Sequence, residues 1–510
     1  MRLTRRRFLK WSALGLMSAG CSRAAPVIAA AGGEKRHAGH AGGKPNIVFI
    51  LADDLGYGDF QCFNPKSHIP TPHANQLAAS GMTFTDAHSP SAVCTPTRYG
   101  VVTGRYAWRT RLKRGVLWGY SEPLIARNRM TVASLLKGHG YATGVVGKWH
   151  LGLDWKHKAE DPKQVDYSKP LDWGPNGYGF DYSYVIPASL DMPPYVYIEN
   201  GRVAEAPTAR QEGRKFPAYI RAGERSPGFN PIETLDVLLG KATAFITREA
   251  KGDKPFFLYF ALTTPHKPVM PAKRFQGKSG RGPYGDFIMQ VDWTVGQVAR
   301  TLKEAGVRDN TLLVVTGDNG SFMFRLKETD TGHVTDPGVQ GYKASSHTSA
   351  YVFRGTKADI YEGGHHVPYI ASWPAKIKAG TTCDKTICLT DLMATCARIV
   401  GAELPRDAGE DSFSTLPLML GKEPPTPRAP VVHHSSNGTF AVRDGKWKLI
   451  LSTGSGGREK PTGKPGSKPY RLFDMAADIS ETTDLAAKHP EIVQRLTRVL
   501  EGFQKTGRSR

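Results

Sequence analysis

Several features are scarce in this chain of 510 residues, and each scarcity excludes a class of protein. Six cysteines are too few for a fold built on a disulfide scaffold. A composition that is 40% hydrophobic and 22% charged excludes a disordered chain, a collagen-like fibre and a multi-span membrane protein. Neither internal repeats nor a recognised nucleic-acid-binding motif occurs. The remaining class is a globular protein long enough to bury a large core.

Acidic residues are missing from residues 1–31. That segment carries six basic residues, which are Arg2, Arg5, Arg6, Arg7, Lys10 and Arg23. The paired arginines precede an apolar stretch, Trp11 to Gly20, that is too short to span a bilayer. This order resembles a bacterial twin-arginine signal peptide. We therefore expect folding in the cytoplasm, export by the twin-arginine machinery, and a periplasmic or secreted protein.

Two processing sites fit the end of this segment. Ala29-Ala30-Ala31 is an ordinary small-residue cleavage site, which we favour. Ser18-Ala19-Gly20-Cys21 is similar to a lipobox and would place a lipid anchor on Cys21. Residues 32–44 then predict a flexible tether. Because export permits disulfides, the cysteines between positions 383 and 396 could form one, with the pairing left open.

Charge is strongly unbalanced toward the positive side. The chain has 68 Lys and Arg against 46 Asp and Glu, which gives a formal net charge of +22. A basic surface suits nucleic acid, a membrane surface or a polyanionic substrate. The basic residues are dispersed along the chain, so we expect no nucleic-acid partner.

Buried strands alternate with amphipathic helices over residues 45–420. Strands are predicted at 46–52, 141–146, 256–262 and 311–316, and helices at 130–139, 234–250, 286–305 and 390–400. This alternation predicts a doubly wound α/β domain, a largely parallel sheet flanked by helices. The pattern fails between about 154 and 230, where the chain is rich in Pro, Gly and Tyr. An irregular excursion of that length is usually functional.

A smaller C-terminal α+β domain is predicted over residues 431–510, after a Pro-rich linker at 421–430. Short strand-like runs flank the turn Asp444-Gly445, and an amphipathic helix closes the chain. The predicted elements are strands at 439–443, 447–451 and 470–473 and a helix at 488–504.

Two polar clusters, Asp53-Asp54 and Asp318-Asn319, come directly after buried strands. The carboxyl ends of parallel strands meet at one edge of a sheet, so we expect both clusters there. Adjacent carboxylates repel each other, and a bound cation offsets that repulsion. Three carboxylates and an amide oxygen suit Ca²⁺ or Mg²⁺ rather than Zn²⁺. Either cluster alone fits an ordinary turn equally well, but the pair favours a metal site.

Cys94 is followed at fixed spacing by Pro96 and Arg98, and Thr103-Gly104-Arg105 closes the segment. The pattern resembles the signature of the formylglycine-dependent sulfatases, which belong to the alkaline phosphatase superfamily. The resemblance runs from about residue 45 to the C-terminus. Five further blocks match in the family's order, namely Asp53–Gly58, Gly147–Gly152, Thr264–His266, Gly317–Gly320, and Arg354–Lys357 with Tyr361–Gly364.

This resemblance implies an alkaline-phosphatase-like doubly wound sheet with a smaller C-terminal α+β domain, and it implies sulfate ester hydrolysis. Cys94 would be oxidised to formylglycine, and one hydroxyl of its hydrate would attack the sulfur. The implied ligands of a single Ca²⁺ are modified Cys94, Asp53, Asp54, Asp318 and Asn319.

The resemblance also implies roles for five basic residues. Lys148 and Lys357 would hold the sulfate, and Arg98 would stabilise the modified cysteine. His266 would bind sulfate and protonate the leaving oxygen, while His150 would act as the base that releases sulfate. Imidazole suits both proton transfers because its pKa lies near the working pH.

Other residues are candidates for substrate binding. Asp191 lies in the irregular excursion, and His347 lies between two signature blocks, where an ordinary loop histidine is equally consistent. His365 and His366 follow the last block. They either approach the site or pack in the core.

Positive charge, the export signal and the aromatic excursion favour a sulfated carbohydrate as substrate. The spacing of Gly179–Asp181 and Ser189–Pro194 is similar to bacterial members resembling N-acetylgalactosamine-6-sulfatase and arylsulfatase A. That suggests 6-O-sulfated galactose or N-acetylgalactosamine. Two alternatives stay open: a phosphonate or phosphate monoester hydrolase, and a non-catalytic protein that binds sulfated glycans with unmodified Cys94.

Twin-arginine export also constrains when Cys94 is modified. A protein that is exported folded must have this cysteine converted before folding buries it. We therefore expect a cytoplasmic formylglycine-generating enzyme as a partner.

Overall fold

The computed structural model describes residues 43–161 and 163–510. The predicted signal peptide, both processing sites and nearly all of the tether lie outside these residues. Within the described part of the chain, no helix is long and apolar enough to cross a membrane.

Twenty strands, numbered in chain order, form one large and several small sheets in the described residues. They are β1 Asn46–Asp53, β2 Met82–Phe84, β3 Ala87–His88, β4 Ala142–Lys148, β5 Tyr182–Ile186, β6 Ile198–Glu199, β7 Arg202–Val203, β8 Ala209–Gln211, β9 Gly223–Arg225, β10 Phe256–Pro265, β11 Thr311–Gly317, β12 Phe324–Leu326, β13 Gly341–Lys343, β14 Tyr369–Ser372, β15 Thr381–Cys383, β16 Ile387–Cys388, β17 Val431–His434, β18 Phe440–Asp444, β19 Trp447–Ile450 and β20 Arg471–Asp474.

Helices connect and cover these strands. They are α1 Pro72–Ala79, α2 Cys94–Thr103, α3 Val132–Gly138, α4 Thr234–Glu249, α5 Gly282–Glu304, α6 Glu362–His365, α7 Leu392–Val400, α8 Leu416–Met419 and α9 Pro490–Thr506.

The large sheet has ten strands in the order β15-β2-β14-β11-β1-β10-β4-β5-β6-β7. Its centre is parallel from β11 through β1, β10 and β4 to β5, as the buried apolar runs predict. Antiparallel strands border this centre, β14 on one side and β6 on the other. The sheet is therefore mixed, because short edge strands of two to four residues extend the parallel centre.

Alternate residues of β1 face two different hydrophobic cores. Ile47, Phe49 and Leu51 pack with apolar side chains of α2, α3 and α7. Val48 and Ile50 pack with those of α1, α4 and α5. Helices thus cover both faces of the sheet, which confirms the doubly wound architecture.

A separate antiparallel sheet, β17-β18-β19-β20, forms the C-terminal part together with α9. Leu496 and Leu500 of α9 are buried in its core, which also takes in Tyr106 and Trp108 from the catalytic part. The predicted linker at 421–430 contains no helix or strand. The C-terminal sheet therefore packs directly on the larger part and is not held apart from it.

All five described cysteines are free thiols, so the disulfide considered for positions 383–396 does not form. Cys388 packs in the core of the C-terminal sheet. Cys396, on α7, lies in the core beneath the helices of one sheet face. Cys388 and Cys396 therefore lie in different hydrophobic cores, although they are close in sequence.

Candidate active site

Four neighbouring parallel strands end at one edge of the sheet and carry the predicted site residues there. β1 ends at Asp53 and β4 at Lys148, while His266 directly follows β10. Asp318 directly follows β11. This arrangement brings the two acid clusters together, as their positions after buried strands predict.

The spacing of the cysteine motif follows from a helix that begins at Cys94. Arg98 lies one turn later on the same face. Pro96 falls in the first turn, where backbone N–H groups have no partner within the helix. Cys94 is 2% exposed, and its Sγ lies 3.5 Å from Nζ of Lys357. Burial raises the pKa of its thiol to about 12, so the unmodified side chain is neutral near pH 7.

Each buried carboxylate of the site faces a cation. Asp53 Oδ2 accepts from Lys148 Nζ at 2.7 Å, and Asp318 Oδ2 accepts from the Arg98 guanidinium at 2.7 Å. Asp54 Oδ1 lies 2.7 Å from the Nζ of Lys357. Burial alone would raise the pKa of Asp53, but Lys148, His266 and Arg98 outweigh it and hold that pKa below its ordinary value.

The donor set at this edge fits a hard divalent cation. The side chains of Asp53, Asp54, Cys94 and His266 each offer a ligand atom, and these atoms lie within 4.8 Å of one another. The two aspartates supply the oxygen ligands of this group, whereas an unmodified thiol and an imidazole suit softer metals. Asp53 Oδ1 and Asn319 Oδ1 are buried and accept no hydrogen bond. Carboxylate and amide oxygens left open in this way are ligands suited to Ca²⁺ or Mg²⁺.

The two histidines have defined proton positions. His150 Nε2 donates to the Leu117 carbonyl at 2.7 Å, which leaves Nδ1 with a free lone pair and no partner. Burial, followed by the charges of Lys148 and Arg98, lowers its pKa well below 6.5. This histidine is therefore neutral and can accept a proton.

His266 is oriented from its other ring nitrogen. Its Nδ1 donates to the Lys267 carbonyl at 2.6 Å, and its Nε2 lies 3.6 Å from Asp54 Oδ2. Burial and the nearby Lys357 ammonium lower its pKa. The Nε2 nitrogen thus faces the carboxylate edge, where an anionic substrate would bind.

Backbone strain is concentrated at the same edge. Asp54 and His150 have φ angles of 65° and 56°, in the left-handed region that ordinary residues rarely adopt. Gly147 has φ 113°, and a Cβ there would lie 1.8 Å from the Ala261 carbonyl oxygen. Only glycine fits this close approach of β4 to β10, which explains the glycine before Lys148.

The irregular excursion reaches the site through the loop that follows β5. Ser189 Oγ accepts from Lys148 Nζ at 3.0 Å. In the sequence, the Ser189–Pro194 segment stands out only for its spacing, and Ser189 has no predicted role in the site. Asp191 is 3% exposed, pairs with Arg221, and has Oδ1 3.9 Å from His266 Nδ1. The structure therefore places Asp191 beside the site.

His347 is placed differently. Its Nε2 lies 2.8 Å from Asp59 Oδ1, its Nδ1 lies 3.5 Å from Ser67 Oγ, and the ring packs edge-on against Tyr342. None of these partners is a residue of the site, so the expected substrate contact has no support from this geometry. The alternative of an ordinary packed loop histidine fits better.

Residues 45–402 match the family model described as Sulfatase. The chain belongs to the sulfatase family. The N-acetylgalactosamine-6-O-sulfatase of Bacteroides thetaiotaomicron is 35% identical to this sulfatase, over 90% of this chain and 93% of that protein. Human arylsulfatase A is 32% identical, over 89% of this chain and 86% of that protein.

Solved structures agree with this assignment. One from a study of glycosaminoglycan metabolism by Bacteroides thetaiotaomicron aligns with a TM-score of 0.78 at 34% identity. The alignment covers 91% of this chain and 99% of that one. This sulfatase is accordingly a sulfuric ester hydrolase, and the expected enzyme class is confirmed.

Proposed function

We propose that this sulfatase removes sulfate from sulfated carbohydrates, with 6-O-sulfated galactose or N-acetylgalactosamine as the preferred unit. The observation with most weight is the site itself, in which Cys94, three aspartates and two lysines converge at one sheet edge. The relative named N-acetylgalactosamine-6-O-sulfatase, matched over 93% of its length, supports the 6-O position.

We propose that Asp53, Asp54, Asp318 and Asn319 hold one Ca²⁺, together with the modified side chain of Cys94. The open oxygens of Asp53 and Asn319 support this ligand set. When bound, the ion would supply positive charge that offsets the negative charge of the sulfate ester.

The chain's own residues support the remaining roles. Lys148 and Lys357 supply fixed positive charge to a sulfate at this edge, in a water-poor site where such charge is most effective. Conversion of Cys94 to formylglycine would supply the attacking hydroxyl. The lone pair at Nδ1 of His150 takes a proton. His266 donates from Nδ1 to the Lys267 carbonyl, so its Nε2 gives a proton to the leaving oxygen only from the doubly protonated ring, a form that the nearby Asp54 carboxylate favours.

Export and maturation are part of the proposal. Residues 1–31 favour twin-arginine export to the periplasm or beyond. Cys94 is 2% exposed in the folded chain, and that burial favours conversion by a cytoplasmic formylglycine-generating enzyme before folding. Replacing the signal with one that exports unfolded chains should lower the converted fraction of Cys94.

A combined mass and activity experiment tests the function. The tryptic peptide Ser67 to Arg98 from protein made in its native host should be lighter than the unmodified sequence. That protein should release sulfate from 6-O-sulfated galactose or N-acetylgalactosamine faster than from the 4-O-sulfated sugars, and C94A should release none. Converted Cys94 with equal rates on both positions would contradict the 6-O preference. Converted Cys94 without sulfate release would contradict the carbohydrate substrate.

A further inference from the structure

Two cations beside the site have no role in the reaction described above. Lys267 directly follows His266, and Arg458 lies in the long loop between β19 and β20. Both are half-buried. Among the described residues, neither side chain forms an ion pair within 4 Å.

Lys267, Arg458 and His266 all lie beside Phe322. The Nζ of Lys267 lies 5.6 Å from the centre of the Phe322 ring, and the His266 ring centre lies 6.5 Å from the same point. Arg458 donates from its guanidinium to the Phe322 carbonyl at 2.6 Å. Phe322 is 1% exposed and lies three residues after Asn319, so this arrangement borders the sulfate-binding edge.

Aromatic rings hold the two cations without neutralising them. Lys267 Nζ lies 5.1 Å from the centre of the Tyr219 ring, and the Arg458 guanidinium lies 3.9 Å from that of Phe324. Such contacts fix a cation, and they leave N–H groups free to bind an anion. The positions are thus defined although no carboxylate pairs with either charge.

The electrostatic surroundings favour an anion at this position. Burial lowers the pKa of Lys267, and repulsion from Lys357 lowers it further. Arg458 adds a second repulsion, and the carboxylates of Asp54 and Asp191 offset these effects only in part. Partly buried cations that repel one another are costly unless an opposite charge compensates them.

We propose that Lys267 and Arg458 form an anion subsite that binds a second carboxylate or sulfate of the sugar chain, next to the sulfate ester being hydrolysed. The proposal rests on the function proposed above. The reacting sulfate already faces Lys148 and Lys357, so a second anion requires cations of its own. A lysine ammonium beside an arginine fork binds the oxygens of either anion by charge-assisted hydrogen bonds.

Three disaccharides test the subsite, each with the same 6-O-sulfated unit. The neighbouring sugar is neutral, carries a carboxylate, or carries a second sulfate. For the fully converted enzyme, K267M and R458Q should each reduce kcat/KM for a charged neighbour about tenfold relative to the neutral one, through KM. The exposed Lys251 follows α4 at the opposite edge of the sheet, so K251M is the matched control and should leave the ratio unchanged.

The outcomes separate this inference from the proposed function. Hydrolysis of the neutral 6-O-sulfated disaccharide with unchanged ratios in both variants would overturn the subsite alone. A loss seen only with the carboxylate or only with the second sulfate would identify the anion that the subsite binds. Melting curves check that each variant is folded. If R458Q does not fold, K267M alone tests the subsite, because methionine keeps the apolar stem of the lysine side chain.

If no disaccharide is hydrolysed, the proposed function is contradicted, and a binding measurement still tests the subsite. Calorimetry with C94A, which cannot turn substrate over, should show that adding K267M weakens binding of the charged disaccharides about tenfold. Equal affinities with and without K267M would overturn the subsite.

Discussion

In the described part of this sulfatase, two of the buried clusters of charge invite comparison, and one of them is the active site. The second, here called the histidine cluster, lies between the catalytic part and the C-terminal sheet. Its members are His88, His365, His366, His433, Glu362, Glu481 and Lys448. Both clusters contain fully buried lysines paired with carboxylates, so burial and charge alone do not distinguish them.

Most polar atoms of the histidine cluster are paired with other members of the cluster. Lys448 Nζ lies 2.9 Å from Glu362 and 2.7 Å from Glu481. His366 Nδ1 lies 2.8 Å from the other oxygen of Glu362. His433 Nε2 and Glu481 Oε1 accept no hydrogen bond, but the His433 ring stacks on that of His365 with 3.8 Å between ring centres, and Glu481 Oε1 lies 2.7 Å from the Lys448 ammonium. Glu362 belongs to α6 and Lys448 to β19, so the cluster ties the C-terminal sheet to the catalytic part.

The active site differs because several of its own buried polar atoms have no hydrogen-bond partner. Oδ1 of Asp53, Oδ1 of Asn319 and Nδ1 of His150 are all buried without a hydrogen-bond partner. Two of the residues that line this edge, Asp54 and His150, also have left-handed backbone. Open polar atoms and backbone strain together mark a site built to receive an ion and a substrate. A buried cluster whose polar atoms are mostly paired with one another instead indicates a structural role.

The largest effect on stability should come from K448M. Removing this ammonium takes away the cation that Glu362 and Glu481 share, and only the Arg443 guanidinium, 3.9 Å from Glu362, remains to offset their charge. Breaking a buried ion pair in this way costs about 3–5 kcal/mol of unfolding free energy, which urea denaturation would measure. The protein that remains folded should keep its sulfatase rate per molecule, because Lys448 does not contact the site. A loss below about 1 kcal/mol would contradict the structural role.

K148M is the matching change in the active site. Lys148 is equally buried and pairs with Asp53. Loss of one preorganised charge should lower kcat about 10²–10³-fold. Stability should change less than in K448M because, among the described residues, Lys148 pairs with one carboxylate and Lys448 with two. The Arg98 guanidinium, 3.5 Å from Asp53, also still offsets the charge of Asp53. Both variants are assayed side by side for kcat and for unfolding free energy. If K448M lost more activity and K148M lost more stability, the two clusters would have been assigned wrongly.

Buried apolar runs predict the fold and bring Asp53-Asp54 and Asp318-Asn319 to one edge of the sheet. The roles of Cys94, Lys148 and His266 are instead implied by the resemblance to the sulfatases. β1, β10 and β11 are long apolar runs, and the residues after them converge whatever the loops do. The short strands β2, β14 and β15 escape prediction because two to four residues show no periodicity.

Other parts of the site depend on contacts that a single sequence does not show. Ser189 and Arg458 come from irregular segments and reach the edge only through the folded loops. The sequence left His365 and His366 open between the site and the core. Their contacts with Lys448 and Glu362 place them in the histidine cluster.

The smallest effect should be a pH dependence of stability that belongs to the histidine cluster. Burial and the Glu362 carboxylate raise the pKa of Glu481 from 4.5 to about 7, although Lys448 opposes the shift. Between about pH 4.5 and pH 7, the Glu481 carboxyl therefore keeps its proton in the folded state and releases it in the unfolded state. Glu481 contributes this stability fully below about pH 4.5 and loses it as the pH rises through about 7.

E481Q, which is neutral at every pH, isolates that contribution. Relative to wild type, the variant should gain about 1–3 kcal/mol of unfolding free energy between pH 5 and pH 8. Contributions of the histidines cancel in this difference, and E491Q, on the exposed part of α9, should show no such trend. A constant difference across the range would mean that Glu481 is ionised in the folded protein. The cluster would then hold a second full negative charge beside Glu362, and its single lysine would be even more necessary than the contacts indicate.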